Sequence, residues 1–291
     1  MSIQKRSTEG ICKLLIKLIL SKAIVPRRIP GTLFLRNLVE RRSLLFQLVR
    51  RDFEQRFVGS AIGWIWGLIH PLVMLLSWTF VFQYCFGLKA PGGVPYPLFL
   101  FAGMLPWLLF SETVQRSASS LLDHANLITK TVFPSEIVPV SVFLSSLVSH
   151  LLALTLMLVG SILCLQRLSL FLIFLPLYTL VIGLLAVGLG WIVASLHVFL
   201  RDTAQFLTVI LTFWFWTTPI FIQPDAFPWW AKPALKFNPL AYAVDAYRAL
   251  LLGTRMPNPR DLAVMAACGV AAFVIGGLFF RHLKRGFADV L

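Results

Sequence analysis

Long uncharged apolar stretches alternate with short charged segments along this chain. Six stretches, 57–88, 90–111, 137–166, 168–200, 203–224 and 262–280, contain no Asp, Glu, Lys or Arg. Each is long enough to cross the apolar core of a bilayer, which takes about 20 residues of helix. A soluble domain would not avoid charge in six such blocks. The pattern predicts an all-α polytopic membrane protein with six transmembrane helices.

The segment before the first stretch has a different periodicity. Ile11, Leu14, Leu15, Leu18 and Ile19 follow helical spacing, with Lys13 and Lys17 beside that face. Lys13, Lys17 and Lys22 interrupt the apolar run, and no small-residue cleavage site follows, so it reads as a surface helix and not a signal peptide. Prolines at 26 and 30 end it. A second amphipathic helix is predicted over about 33–57, with Leu45, Leu48, Val49 and Phe53 on the apolar side and Arg41, Arg42, Arg50, Arg51 and Arg56 on the basic side. The chain thus divides into an amphipathic N-terminal segment (1–56), a membrane domain (57–280) and a short tail (281–291).

Within the membrane domain, Gly59, Gly63 and Gly67 recur every four residues, a spacing that puts three glycines on one helical face for close packing. His70-Pro71 is expected to interrupt the first span, because proline removes a backbone hydrogen bond. Glu112 and Arg116 stand one turn apart in the order that favours a local ion pair. The main internal loop is expected at 117–136. Its Leu121, Leu122, Leu127, Ile128, Val132 and Phe133 would pack on the bundle or dock a partner. Gly183, Gly188 and Gly190 suit close helix packing in the fourth span. Residues 223–258 are too apolar for a plain loop and predict two short re-entrant helices, since nonspanning backbone is tolerated only where protein or water covers it.

Composition agrees with this plan. The hydrophobic fraction is 58% and the charged fraction 13%, about half that of a soluble protein. The net charge is +14, and thirteen of the 26 Lys and Arg residues fall in 1–56. Retention on the cytoplasmic side explains this better than nucleic-acid binding. With the N-terminus inside and six alternating spans, nineteen basic residues lie inside and seven outside, so both termini are expected to be cytoplasmic. Cys12, Cys85, Cys164 and Cys268 have no metal or redox spacing and read as buried apolar filler, with a Cys85–Cys164 disulfide the weaker alternative. His150 and His197 read as packing residues, because no acid within the spans is available to partner them. No phosphate-loop motif occurs, and no catalytic or metal cluster. The spans lack the buried acids of ion-driven carriers. The chain reads as a conduit driven from elsewhere. Its 25 Phe, nine Trp and five Tyr exceed the needs of interfacial belts. Aromatic faces can stack on sugar rings without demanding one sugar sequence.

Five stretches, LVRRDFEQRFVGSAIGWIWGLIHPLVMLL, FLFAGMLPWLLFSETVQRSASSLLDHANLITKTVFPSEIVPVS, FLRDTAQFLTVILTFWFWTTPIF, FNPLAYAVDAYRALLLG and the terminal RGFADVL, resemble the permeases of type-2 ABC exporters that serve O-antigen, capsule and teichoic acid export. They run in order from about residue 45 to the end; residues 1–40 fall outside the resemblance. The resemblance implies a homodimer in a bacterial inner membrane, with a pore between the copies for a lipid-linked polysaccharide. It also implies a separate cytoplasmic ATPase that carries ATP and Mg, with no cofactor on this chain. By the same likeness, Arg50, Arg51, Asp52 and Arg56 belong to a gate helix. Asn126, Leu127, Lys130, Phe133 and Pro134 belong to an ATPase-coupling segment. Residues 229–252 become outer re-entrant helices. Phe213, Trp214, Phe215, Trp216, Trp229, Trp230 and Tyr242 become aromatic pore or glycan contacts. Two other classes fit the composition. A glycosyltransferase on a lipid carrier would need placed acids, but Asp202, Asp225 and Asp245 are isolated in sequence. A passive scaffold leaves the loops unexplained.

Overall fold

A computed structural model describes residues 42–56, 60, 63–130, 133–166, 169–253 and 255–290. The surface helix expected at 11–25, the break at 26–30, Cys12 and Gly59 lie outside the described residues. Amphipathic α1 (Arg42–Gln55) precedes the first span, which is a single 3-10 turn (Gly63–Ile65), α2 (Trp66–Thr79) and a π-helical end (Phe80–Cys85). Then come α3 (Tyr96–Asp123), the short α4 (Ala125–Lys130), α5 (Ile137–Leu165), α6 (Leu175–Phe199) and α7 (Thr203–Thr217). After a stretch that holds only a 3-10 turn (Pro224–Ala226) follow α8 (Lys232–Phe237), α9 (Pro239–Leu252), α10 (Pro259–Leu283) and α11 (Phe287–Val290).

The described residues form an all-helical, polytopic membrane fold. Five helical segments are long and apolar enough to span a bilayer: Gly63–Cys85, Tyr96–Asp123, Ile137–Leu165, Leu170–Phe199 and Pro259–Gly286. α7 has 15 residues, about 22 Å of rise against a hydrocarbon core of about 30 Å. α7 alone is thus shorter than the span expected there, and it continues into extended and turning backbone whose Ile220 and Phe221 are buried.

α3 is the axis of the bundle, buried along most of its length against α5, α6 and α9. α6 and α10 approach most closely. A Cβ on Gly188 would lie 2.4 Å from the backbone of Ala272, and one on Gly276 would overlap the Gly188 carbonyl. A smaller core at the α1 end gathers Leu45, Leu48, Leu121, Ile137, Trp191, Phe280 and Phe287. The C-terminal tail is thus packed into the bundle by Phe287.

Several expectations need correction. Helix α2 runs through Pro71 without interruption; the one lost hydrogen bond leaves the rest of the backbone ladder in place. Gly63 has φ +60°, so it does not share a helical face with Gly67. Residues 117–123 continue α3, with Ser117, Ala118, Ser120 and Leu121 buried, so the connection begins only at His124. Cys85 and Cys164 are exposed free thiols, neither filler nor a disulfide, and Cys268 is half-buried.

Candidate functional site

At the α1 end, four charged side chains converge from two elements. Arg56 Nη1 lies 2.6 Å from Glu112 Oε1, and Arg116 Nη2 lies 2.5 Å from Asp52 Oδ1. Asp52–Arg56 and Glu112–Arg116 are longer, at 3.7 and 3.6 Å. The local pair expected between Glu112 and Arg116 is therefore secondary to pairing across elements. Arg56 also donates to Ser149 Oγ (2.7 Å) and Ser145 Oγ (3.0 Å) on α5. One bend after α1 is thereby fastened to α3 and α5 together. The group is partly buried, where charge-assisted bonds exceed those of exposed pairs. Arg50 and Arg51 are exposed on the other side of α1. Arg50 donates to Glu54 at 2.7 Å, and that bond and charge push the Arg50 guanidinium up. Of the four gate-helix residues, the structure brings Asp52 and Arg56 into one constellation and leaves Arg50 and Arg51 outside it.

The segment after α3 splits in the same way. Asn126 is exposed on α4, Leu127 is half-buried, and α4 ends at Lys130. Phe133 packs on the core that holds Leu45 and Leu48, and Pro134 is buried. Glu136 closes the segment. Its carboxylate accepts from Lys284 Nζ (2.7 and 2.8 Å), and its carbonyl accepts from Trp191 Nε1 (3.0 Å). The segment is thus joined to α1 through apolar packing and to the end of α10 through an ion pair.

At the opposite end, Phe213 and Trp216 are exposed while Trp214 and Phe215 turn inward. The 100° step of a helix separates them this way. Phe215 sits among Trp78, Trp107 and Phe221, with ring centroids 5.0–5.5 Å apart. Trp78 stacks on Phe221 at 4.4 Å and 8°. Trp214 Nε1 donates to Asn238 Oδ1 (2.9 Å), so it is a structural strut. The same Oδ1 caps α9 through Leu240 N, and Asn238 Nδ2 donates to Thr218 Oγ1. Trp229 and Trp230 are 84% and 69% exposed beside α8, and the Tyr242 hydroxyl donates to the Lys236 carbonyl (2.8 Å).

Arg248 went unnoticed as a site residue in the sequence, where it was counted with the outside loops. It is buried. It donates to the carbonyls of Phe99 (3.3 Å), Pro219 (2.8 Å) and Ile220, and stacks 3.7 Å above the Phe99 ring. It fastens the stretch after α7 to α3 and α9. The isolated acids are partly gathered too. Asp225 and Asp245 line an open cavity of about 680 Å³ with Asp261, and Asp245 is held by Arg255 at 2.5 Å. His150 is buried, and its Nε2 lies 3.3 Å from the Tyr247 hydroxyl, which in turn lies 2.7 Å from Thr179 Oγ1.

A long helical bundle entered through an amphipathic helix, with an aromatic end and no nucleotide-binding loop, can be compared with known transporters. Residues 43–252 match the family described as ABC-2 type transporter. The chain belongs to that family. The O-antigen export system permease protein RfbA of Myxococcus xanthus is 29% identical over 259 residues, covering 87% of this chain and 97% of the relative. The RfbA permease of Klebsiella pneumoniae is 26% identical over 249 residues, covering 85% and 95%. The polysialic acid transport protein KpsM of Escherichia coli is 22% identical over 239 residues, covering 80% and 91%. As an ABC-2 type permease, the chain is a transport subunit. The matched region holds every charged member of the α1-end constellation and the whole of α9.

Proposed function

We propose that this chain is the membrane-spanning permease of an ABC exporter that moves a lipid-linked polysaccharide outward across a bacterial inner membrane. It acts as a homodimer, each copy paired with a separate ATPase that binds ATP and Mg, and both termini face the cytoplasm. The observation that carries this reading is the likeness, over 80–87% of the chain, to permeases named for O-antigen and polysialic acid export. The basic ends of the chain favour the orientation.

The packing supports a route for the work. ATP-driven closure of the ATPase pair pushes on α4 at Asn126, Leu127 and Lys130. Phe133 and Pro134 pass the movement into the core shared with Leu45 and Leu48. α1 then shifts, and the Asp52–Arg116 and Arg56–Glu112 pairs transmit that shift to α3 and α5. A driven change requires contacts that differ between states, and these pairs supply them. Exposed apolar faces on the first span and α7, including Leu76, Phe80, Phe206 and Phe213, give the second copy a surface. With Trp216, Trp229, Trp230 and Tyr242 they set aromatic faces along the outer part of the path.

The test is crosslinking at Asn126→Cys in native membranes, alongside Phe133→Asp. The expected result is a covalent adduct with a protein carrying a phosphate-loop motif, and loss of polymer export in Phe133→Asp while the protein stays in the membrane. Export unchanged in that variant, with no ATPase adduct, contradicts the coupling route.

A further inference from the structure

Glu136 occupies the position just before α5, where a carboxylate ordinarily serves its own helix by accepting from the first free N–H groups. It makes no such cap bond. Both its oxygens instead accept from Lys284 Nζ, across 148 positions of chain. Lys284 opens the 3-10 turn (Lys284–Gly286) that follows α10. Trp191 of α6 holds the same residue from another side, through its Nε1 bond to the Glu136 carbonyl. Trp191 is itself buried, and its ring lies 4.8 Å from Phe273 and 6.4 Å from Phe280 of α10.

The residues after Lys284 add a second attachment. Phe287 is buried, with its ring 5.4 Å from Phe280 and 6.0 Å from Phe199. Phe280, Leu283 and Phe287 belong to the core on which Phe133 packs. The turn at 133–136 is therefore tied to the tail at both ends, at Phe133 through a shared apolar core and at Glu136 through charge.

Stability does not explain the ion pair. Its side chains are 36% and 29% exposed, and partly exposed pairs add little to folding. What the pair fixes is position. It sets where α5 begins relative to the end of α10, and α10 is locked against α6 where Gly276 meets Gly188. The turn thus takes its place from the tightest seam in the bundle. A push on α4 needs such a fixed point. Without one the turn swings freely, and the movement is spent there instead of reaching α1 and α3.

We propose that Lys284 and Phe287 form a clamp that holds the ATPase-coupling segment in place, with Lys284 a positioning residue that acts through Glu136. The inference rests on the reading of residues 126–134 as that segment.

The test uses the full-length chain purified with its ATPase in nanodiscs, beside the same variants in the host. Lys284→Met and Glu136→Gln should each leave the thermal midpoint and the amount of bound ATPase unchanged. ATP hydrolysis should continue while surface polymer falls severalfold. A merely structural contact would not separate hydrolysis from export in this way. Lys284→Glu should be defective too, and Lys284→Glu with Glu136→Lys should recover part of the export, the remainder being lost to a cation at the start of α5. Export at the wild-type level in Lys284→Met, a midpoint that falls together with export, or no recovery in the exchanged pair overturns the clamp. Loss of the ATPase from the complex also overturns it, since the pair would then belong to the docking surface itself. An absent ATPase adduct at Asn126→Cys would instead defeat the coupling reading, which keeps the two failures apart.

Discussion

Arg248 carries the clearest residue-scale consequence. Its planar fork reaches carbonyls on two segments and its face covers Phe99, a geometry that Lys cannot reproduce. Replacement by Met takes that donor from the Pro219 and Ile220 carbonyls, which lie outside any helix, at about 1–3 kcal/mol each. We expect Arg248→Met, and also Arg248→Lys, to lower the thermal midpoint of the purified protein by several degrees. An unchanged midpoint would mean that the stretch after α7 is held by something else. Asn238→Ala should act in the same direction, because one side chain caps α9 and ties Trp214 and Thr218 together. Neither residue could be singled out from the sequence. Their partners outside the α9 cap lie 20 to 149 positions away, and no local periodicity carries such pairings.

At the scale of elements, α1 is bound to the membrane helices by ion pairs that cross between them. Reversing Arg116 alone should weaken export, and restoring the opposite sign at Asp52 should recover part of it. The predicted pair is Arg116→Asp, defective, and Arg116→Asp with Asp52→Arg, partly rescued, read as surface polymer. Failure of any rescue would argue that these charges act separately. The α6–α10 seam makes a different prediction. Gly188→Val forces the helices apart, at about 1–3 kcal/mol or more for overpacking, and should lower the amount of folded protein recovered in detergent. The close packing at Gly188 was legible in the sequence because glycine spacing reports close approach. The run through Pro71 was not, since a proline can either end a helix or be carried within a membrane helix. The short α7 was also hidden: an uncharged stretch does not tell how much of it is helical.

At the scale of the whole molecule, one plan joins the parts. α3 forms the buried axis, α1 and the α4 region occupy one end, and an aromatic assembly fixed by Asn238 and Arg248 occupies the other. Charge-free stretches were enough to foresee an all-helical polytopic fold, because only helices and closed barrels satisfy the backbone in a bilayer, and barrel strands read as short alternating segments rather than long continuous apolar runs. The expected aromatic tetrad at 213–216 divided into two exposed and two inward rings, a division set by helical phase and the position of Trp78 and Phe221. The central claim is that this chain moves finished polymer and does not make it. Deleting it in its host and fractionating the glycan tests that most directly. The account predicts loss of surface polysaccharide with full-length lipid-linked polymer accumulating inside the cell. Loss of the polymer from both sides would mark the chain as part of synthesis, and undiminished surface polymer would remove it from export.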